Sequence, residues 1–189
     1  MVHIEAAKAI DGWMNEAELT WLAEQAAECP TIFEFGCWQG RTTMVLATNM
    51  WSCGTLFAVD RWKAYRENFR GGEPIMDQQQ MDAVLEKFKF NLRHAISSGL
   101  VIPLRMEHDQ AIHALSLITP DFVFLDGCHG YAETRRLVEH FHELFTELGK
   151  GLLACHDYDL NWPDCKRAID ESLPGKLVVP GGFIAYKRY

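Results

Sequence analysis

Five short apolar runs, separated by helical and polar segments, constrain the fold of this chain more than any other feature. The runs are TIFEF (31–35), GTLFAVD (54–60), LVIPL (100–104), DFVFLD (121–126) and GLLAC (151–155). Short apolar runs bounded by glycine, proline or an acid are typical of buried strands. Because strands that alternate with helices pair in parallel through right-handed crossovers, the pattern predicts a Rossmann-like, doubly wound α/β sheet.

The remaining segments predict helices around this sheet and a hairpin at its end. Asn15 and Glu18 have the spacing of a capping box in front of a helix. Residues 131–148 carry apolar side chains at helical spacing, and the segment 176–187 predicts two strands joined at a Pro-Gly-Gly turn. We therefore expect one domain over residues 1–189, with a mostly parallel seven-stranded sheet and a C-terminal antiparallel hairpin.

One stretch has no clear place in this scheme. Residues 61–95 form an insertion between the second and third predicted strands, and the first part, 61–80, is largely polar. Long insertions in compact domains often have a function, for example as covers over a binding site. We therefore expect a lid at 61–95.

Length and charge narrow the functional classes. The chain has 189 residues, of which 48% are hydrophobic and 23% charged, an ordinary globular composition. The net charge of -8 argues against a nucleic-acid partner, because such proteins usually present clustered Lys and Arg to phosphates. No apolar run reaches the roughly 18 residues of a membrane span, and the first residues lack the features of a secretion signal. We expect a cytoplasmic protein with no membrane partner, and a homo-oligomer stays open.

The 6 cysteines contain no C-x-x-C pair, and most lie in or beside apolar runs. This pattern favours reduced core side chains over a disulfide framework or a zinc knuckle.

Polar side chains stand at the carboxyl ends of all five predicted strands, where open α/β sheets bind small ligands. In strand order they are Glu34 with the loop 36–40, Asp60, the segment 106–109, Asp126 with His129, and His156 with Asp157. One acid at a strand end is about as often a helix cap as a functional group. Five successive strand ends of this kind indicate a binding or catalytic site.

The first of these strand ends resembles a nucleotide-binding turn. Backbone N–H groups of a loop bounded by Gly36 and Gly40 can approach a carboxylate or phosphate at the start of a helix. Asp60, roughly 20 residues further on, is placed to accept hydrogen bonds from ribose hydroxyls. Trp38 stands where a dinucleotide fingerprint has its second glycine, which weakens a nicotinamide interpretation.

Four segments, with the helix EAELTWLAEQA in front of them, carry a family resemblance. They are FEFGCWQGRTT, FAVDRW, DFVFLDGCHGY and GLLACHDY. They resemble the class I S-adenosylmethionine (SAM)-dependent methyltransferases, and among them the macrocin O-methyltransferase and cephalosporin-hydroxylase-like branch. The resemblance covers residues 12–189 and implies SAM as cofactor and a small-molecule or sugar hydroxyl as methyl acceptor.

By position, the resemblance implies a set of cofactor-binding residues. It places Glu34 and the two loop glycines at the methionine part of SAM, a threonine of 42–43 near the carboxylate, Asp60 at the ribose and 107–109 near the adenine. The full set is Glu34, Gly36, Gly40, Thr42, Thr43, Asp60, Arg61, His108, Asp109 and Asp126.

The resemblance also implies catalytic and metal-binding residues. In metal-using relatives, acids after strands four and five hold magnesium, and a histidine three residues after the first acid is the base. Asp126, Asp157 and His129 match these positions, whereas His156 replaces an acid. The implied catalytic residues are thus His129 and Asp126, and the implied metal ligands are Asp126, His156 and Asp157. Magnesium is the default cation because oxygen ligands dominate, although His156 as a nitrogen ligand would favour manganese, iron or zinc.

Other interpretations stay open. His129 could cap the helix 131–148, with His156 packed in a turn. A non-catalytic SAM-binding or assembly protein would keep the first strand and Asp60 but would not need His129 and Asp157. A nicotinamide-dependent oxidoreductase is the third class.

Overall fold

Seven strands and eight helices follow one another in the computed structural model, which describes residues 2–64 and 76–189. The strands are β1 (Thr31–Phe35), β2 (Thr55–Asp60), β3 (Val101–Arg105), β4 (Phe122–Leu125), β5 (Leu152–Cys155), β6 (Leu177–Val178) and β7 (Ala185–Arg188). The helices are α1 (Glu5–Lys8), α2 (Glu16–Ala26), α3 (Arg41–Asn49), α4 (Gln78–Asn91), α5 (Arg93–Ser97), α6 (His108–Ala114), α7 (Tyr131–Leu148) and α8 (Pro163–Ser172).

The strands form one sheet in the order β3-β2-β1-β4-β5-β7-β6. Strands β1 to β5 pair in parallel, and β7 pairs antiparallel with both β5 and β6. The predicted Rossmann-like architecture with its C-terminal hairpin is therefore confirmed. The order of the strands reverses between β1 and β4, the switch point at which such sheets bind ligands.

The register brings the ends of the central strands together. Phe35 pairs with Leu125, and Leu125 pairs with Cys155. Strands β1, β4 and β5 consequently end side by side, and the residues that follow them, among them Asp126 and His156, emerge at the same edge.

Alternating residues of β1 contribute to two hydrophobic cores on opposite faces of the sheet. Ile32 packs in the core formed with α2, α3 and α4, whereas Phe33 and Phe35 pack in the core formed with α7 and α8. A central strand covered on both faces explains the nearly continuous apolar run in the sequence. Glu34 is the polar exception, fully buried in the middle of this strand.

The predicted capping box at the start of α2 is confirmed. Asn15 Oδ1 accepts from the Glu18 backbone N–H at 3.0 Å, and Glu18 Oε2 accepts from the Asn15 N–H at 2.9 Å. The predicted core role of the cysteines is also confirmed, since all are free and five are buried, with Cys53 exposed.

Part of the predicted lid is a packed helix. Residues 78–91 form α4, which buries Met81, Val84, Leu85 and Phe88 in the core. Residues 65–75 lie outside the described part of the chain, so the lid stays a prediction. Among the described residues, no helix is both long and apolar enough to cross a membrane.

Candidate active site

The ends of the parallel strands surround a cavity of about 280 Å³. Its walls come from the loop after β1, the ends of β2, β4 and β5, and the segment 11–14 between α1 and α2. The predicted site residues that line it are Gly36, Thr42, Asp60, Arg61, His108, Asp126, His129, His156 and Asp157. One cavity therefore collects most of the polar residues that the sequence places at strand ends.

Four predicted cofactor residues do not line this cavity. Glu34 and Thr43 are fully buried, and Gly40 is the N-cap of α3. Asp109 is exposed and forms an ion pair with Arg136 of α7. Their roles toward a cofactor stay predictions.

The loop after β1 requires both of its glycines. Gly36 and Gly40 have φ angles of 90° and 91°. A Cβ on Gly36 would lie 2.5 Å from Gly127 Cα, and one on Gly40 would lie 2.3 Å from Leu92 Cδ2. The first contact is with backbone, so a side chain at Gly36 would push apart the loops after β1 and β4.

Asp60 organises this loop from the end of β2. Its Oδ2 accepts from the N–H groups of Cys37 at 2.9 Å and Trp38 at 3.0 Å, and its Oδ1 accepts from the Trp62 N–H at 2.8 Å. A carboxylate offers about four acceptor positions, so capacity for another donor remains in the cavity. Asp60 therefore shapes the loop, a structural role that the sequence pattern does not reveal, and its ribose role stays a prediction.

Three residues that line the cavity have strained backbone. Trp38, Trp62 and Asp157 have φ angles of 46°, 37° and 59°, and they are the non-glycine residues with positive φ in the described part of the chain. Each such conformation costs on the order of 1–3 kcal/mol and persists only where its surroundings impose it. Strain concentrated on one cavity is typical of a functional site.

Glu34 lies buried near this loop, and the charged groups of the described residues that act on it most are two other carboxylates. No described group hydrogen-bonds either of its carboxylate oxygens. Burial raises the pKa of Glu34 to about 8, and the carboxylates of Asp126 and Asp60 act in the same direction, while the Thr43 hydroxyl opposes it. Glu34 is thus neutral over most of the pH range below that value.

His156 lies at the centre of a carboxylate cluster. Its Nδ1 is 2.9 Å from Asp126 Oδ1 and 3.2 Å from Asp157 Oδ1, and its Nε2 is 3.3 Å from Glu18 Oε1. Burial disfavours a charge on the ring, but the surrounding carboxylates outweigh burial and raise the pKa of His156 well above its ordinary value. The alternative in which His156 only packs in a turn does not account for these three ion-pair contacts.

His129 is oriented from two sides. Its Nε2 lies 3.1 Å from Asp157 Oδ2, and its ring stacks on Trp162 with a centroid distance of 4.2 Å and an interplanar angle of 20°. The N-cap of α7 is Gly130, without a side-chain cap hydrogen bond. The alternative in which His129 caps this helix is therefore wrong.

Asp157 is held as a carboxylate by these two histidines. Burial would raise its pKa, but the hydrogen bonds from His129 and His156 lower it well below the ordinary range. The pKa of Asp126 is raised, because burial outweighs its contact with His156.

The second histidine cluster of the cavity lies at the start of α6. His108 Nδ1 is 2.9 Å from Glu133 Oε1 and 3.2 Å from Cys128 Sγ. A Cβ on Gly127 would lie 3.2 Å from His108 Nε2, so the other ring nitrogen faces the loop after β4. The hydrogen bond from His108 lowers the pKa of Glu133, while burial raises that of Cys128.

Several parts of the site have no signal of their own in the sequence. Glu18 has only the spacing of a capping-box residue, and no motif marks Trp162 or Glu133. The segment 11–14, which includes the 73% exposed Trp13, carries no motif either. Only a pattern of pairing across the chain could have found them, because their partners are distant in sequence.

Comparison with known proteins agrees with this architecture. Residues 33–158 match the protein family described as "Methyltransferase domain". No curated protein matches the sequence significantly.

Solved structures share the fold at low sequence identity. TomG, an O-methyltransferase from Streptomyces achromogenes solved with SAM, has a TM-score of 0.61 at 15% identity, over 98% of this chain and 89% of that one. An O-methyltransferase from Bacillus cereus in complex with SAH has a TM-score of 0.60 at 14% identity, over 97% and 86%. The SAH-bound methyltransferase PaMTH1 from Podospora anserina has 0.60 at 12%, over 94% and 80%.

The family match begins within β1, ends just beyond the His156 and Asp157 pair, and covers more than half of the chain. It includes the glycine loop, Asp60 and both histidines of the Asp157 cluster. The chain therefore belongs to the methyltransferase-domain family.

Proposed function

We propose that this protein transfers a methyl group from SAM to the hydroxyl of a small molecule. The observation that carries the proposal is the His129–Asp157 pair, which lines the same cavity as Gly36 and Asp60. A cofactor-binding loop and an oriented base in one cavity are what methyl transfer to oxygen requires. The solved structures of similar fold that are described as containing SAM or SAH support the choice of cofactor.

On the cofactor side, the proposal assigns the methionine part of SAM to the loop 36–40 and the ribose to Asp60. The N–H groups at the start of α3 suit the carboxylate, since a helix N-terminus favours anions. His108 Nε2 faces the strand ends where the adenine would lie. The buried carboxyl of Glu34, which lacks a described partner, would be compensated by the positive charge of the methionine amino group or the sulfonium.

On the acceptor side, His129 acts as the general base. With the Nε2 proton held on Asp157, Nδ1 is the atom that takes the hydroxyl proton, and Asp157 stabilises the imidazolium that forms. The acceptor oxygen forms a bond to the methyl carbon as the carbon–sulfur bond breaks, and the electron pair of that bond stays on sulfur. SAH leaves as a neutral thioether, and the proton leaves His129 to solvent.

Asp126, His156 and Asp157 also fit a divalent cation. Their ligand atoms lie within 4.8 Å of one another, and the far side of the His156 ring contacts the Glu18 carboxylate, as expected of a metal-binding histidine. These three residues would hold the ion, and their nitrogen donor favours manganese, iron or zinc over magnesium. A bound cation would lower the pKa of the acceptor hydroxyl.

The acceptor class follows from the resemblance and from the walls of the cavity. The macrocin O-methyltransferase-like motifs favour a sugar or other small hydroxyl compound. Trp13 and Trp38, whose ring centroids are 5.3 Å apart, offer an aromatic surface at the cavity, and sugar or aromatic rings bind to such surfaces.

A direct experiment is to heat-denature the purified protein and identify the released nucleosides by mass. The proposal expects SAM or SAH. Release of a nicotinamide dinucleotide instead would contradict it. If nothing is released, the protein is incubated with equimolar SAH and NADH before gel filtration and denaturation. The proposal then expects SAH, and not NADH, to be recovered with the protein.

A further inference from the structure

We propose that Glu18 is a positioning residue, which fixes the His156 ring so that Nε2 carries a proton and Nδ1 faces Asp126 and Asp157. Glu18 belongs to α2 and does not line the cavity. The inference extends the proposed function, because it assigns to the N-terminal helix the orientation of a side chain in the site.

The Glu18 carboxylate is immobilised by contacts from both ends of the chain. It is fully buried, and Oε2 accepts from the Asn15 N–H at 2.9 Å while Oε1 accepts from the Phe183 N–H at 2.6 Å. The turn between β6 and β7 packs directly on it, since a Cβ on Gly182 would lie 2.6 Å from Glu18 Cγ. The carboxylate is therefore held in one place before His156 is considered.

His156 has carboxylate oxygens at both ring nitrogens. Nε2 is buried and has no hydrogen-bond partner among the described residues; its nearest polar neighbour is Glu18 Oε1 at 3.3 Å, in an ion-pair contact without hydrogen-bond alignment. An unprotonated Nε2 would hold its lone pair 3.3 Å from an oxygen of a buried carboxylate and would be repelled. A proton on Nε2 removes this repulsion and places an N–H group beside the buried carboxylate.

A proton on Nε2 determines what the opposite edge of the ring, at Nδ1, needs. A neutral imidazole has one N–H, so a proton on Nε2 leaves a lone pair on Nδ1, between oxygens of Asp126 and Asp157 at 2.9 and 3.2 Å. Two carboxylates around a lone pair require a positive charge there, supplied by a second proton or by a cation. By keeping the proton on Nε2, Glu18 thereby leaves the Nδ1 atom of His156 available to bind a cation.

The experiment uses selectively 15N-histidine-labelled protein at one fixed pH, with the His156 signals assigned by their absence from His156→Asn. Long-range proton–nitrogen correlation reports which ring nitrogens carry protons. In the wild type we expect a protonated Nε2 and, in Glu18→Gln, altered His156 ring shifts. Asn15→Ala is the matched control, since it removes the same helix cap but keeps the Glu18 carboxylate, and it should leave those shifts unchanged.

A second readout is Mn²⁺ affinity, measured by calorimetry on chelator-stripped protein. Loss of an outer carboxylate typically weakens metal affinity about 10–100-fold, so we expect this loss in Glu18→Gln and a change under about twofold in Asn15→Ala. A wild-type His156 protonated only on Nδ1 overturns the inference without any variant. Unchanged ring shifts in folded Glu18→Gln overturn it as well.

Failure of the proposed function would look different. Glu18 does not line the cofactor cavity, so Glu18→Gln should bind SAH as tightly as the wild type. A wild type that binds no SAH contradicts the proposed function. The positioning role of Glu18 is still tested by the proton–nitrogen correlation spectra of His156.

Discussion

The Nε2 atom of His129 lies 3.1 Å from Oδ2 of Asp157, although the two residues follow different strands, β4 and β5. Parallel pairing of these strands brings the residues together, and the left-handed backbone of Asp157, with φ of 59°, aims its carboxylate at both His129 and His156. One side chain thus orients the proposed base and closes the proposed cation site.

Replacing Asp157 tests this double role. Asp157→Asn keeps a residue that tolerates positive φ but removes the charge between the two histidines. We expect Mn²⁺ affinity to fall at least tenfold while SAH affinity changes by less than about twofold, both measured by calorimetry. With an acceptor in hand, turnover should fall about 10²–10⁴-fold, the range typical of losing the acid that orients a base.

Asp164→Asn is the matched control, because Asp164 is an exposed acid of α8 that pairs with Arg167. It should leave both affinities unchanged. Equal Mn²⁺ binding by Asp157→Asn and this control would contradict a shared role for Asp157.

Replacing Asp60 separates its two roles. Asp60→Asn leaves one carbonyl oxygen for the three N–H groups that the carboxylate now accepts, so the ligand-free melting temperature should fall. SAH affinity should fall at least tenfold. Asp164→Asn, at an exposed acid paired with Arg167, should bind SAH like the wild type.

If Asp60→Asn melts earlier but binds SAH normally, Asp60 has only a structural role. If Asp164→Asn loses SAH affinity to the same extent, the loss in Asp60→Asn is not specific to Asp60.

The buried carboxyl of Glu34 predicts a pH dependence of stability. Its pKa is about 8 in the folded state, against an ordinary 4.5, so between these values the unfolded chain is ionised while the folded chain keeps the proton. Its contribution therefore reduces stability progressively as pH rises from about 4.5 to 8, with no further change above, on the order of a few kcal/mol in all. Glu34→Gln should melt higher than the wild type at pH 8 and similarly at pH 4.5.

Glu28→Gln, at an exposed position, should follow the wild-type pH profile. If the melting temperatures of Glu34→Gln and the wild type change in parallel from pH 4.5 to 8, Glu34 has a compensating partner.

The contact between His108 and Glu133 predicts that the protein distinguishes adenine from other nucleobases in the cofactor. Because Glu133 accepts from Nδ1 at 2.9 Å, a neutral His108 presents an acceptor at Nε2, which suits the adenine amino group. SAH should bind at least tenfold more tightly than S-inosylhomocysteine, which lacks this group. Glu133→Gln should narrow that ratio, whereas Glu139→Gln, at another acid of α7, should not. Equal affinity of the wild type for both ligands would remove His108 from adenine recognition.

The sheet and the ends of its strands are predictable because they rest on local patterns. Buried runs define β1 to β5, and parallel pairing requires that residues directly after them, such as Asp126 and His156, meet at one edge. The capping box at Asn15 is likewise a matter of residue spacing.

The rest of the site depends on contacts between distant segments. Glu18 reaches His156 only because α2 packs beside the C-terminal hairpin, and Trp162 stacks on His129 across a loop. The structural role of Asp60 toward Trp38 depends on backbone geometry, which residue types alone do not specify.

We propose above that the cavity at the strand ends binds SAM and its product, SAH. The most direct test of this proposal is calorimetric titration of the purified, ligand-free protein with SAM, SAH and NADH under identical conditions. We expect one-to-one binding of SAM and SAH, at least tenfold weakened in Asp60→Asn, and no measurable binding of NADH. Binding of NADH in the absence of SAM and SAH binding would contradict it.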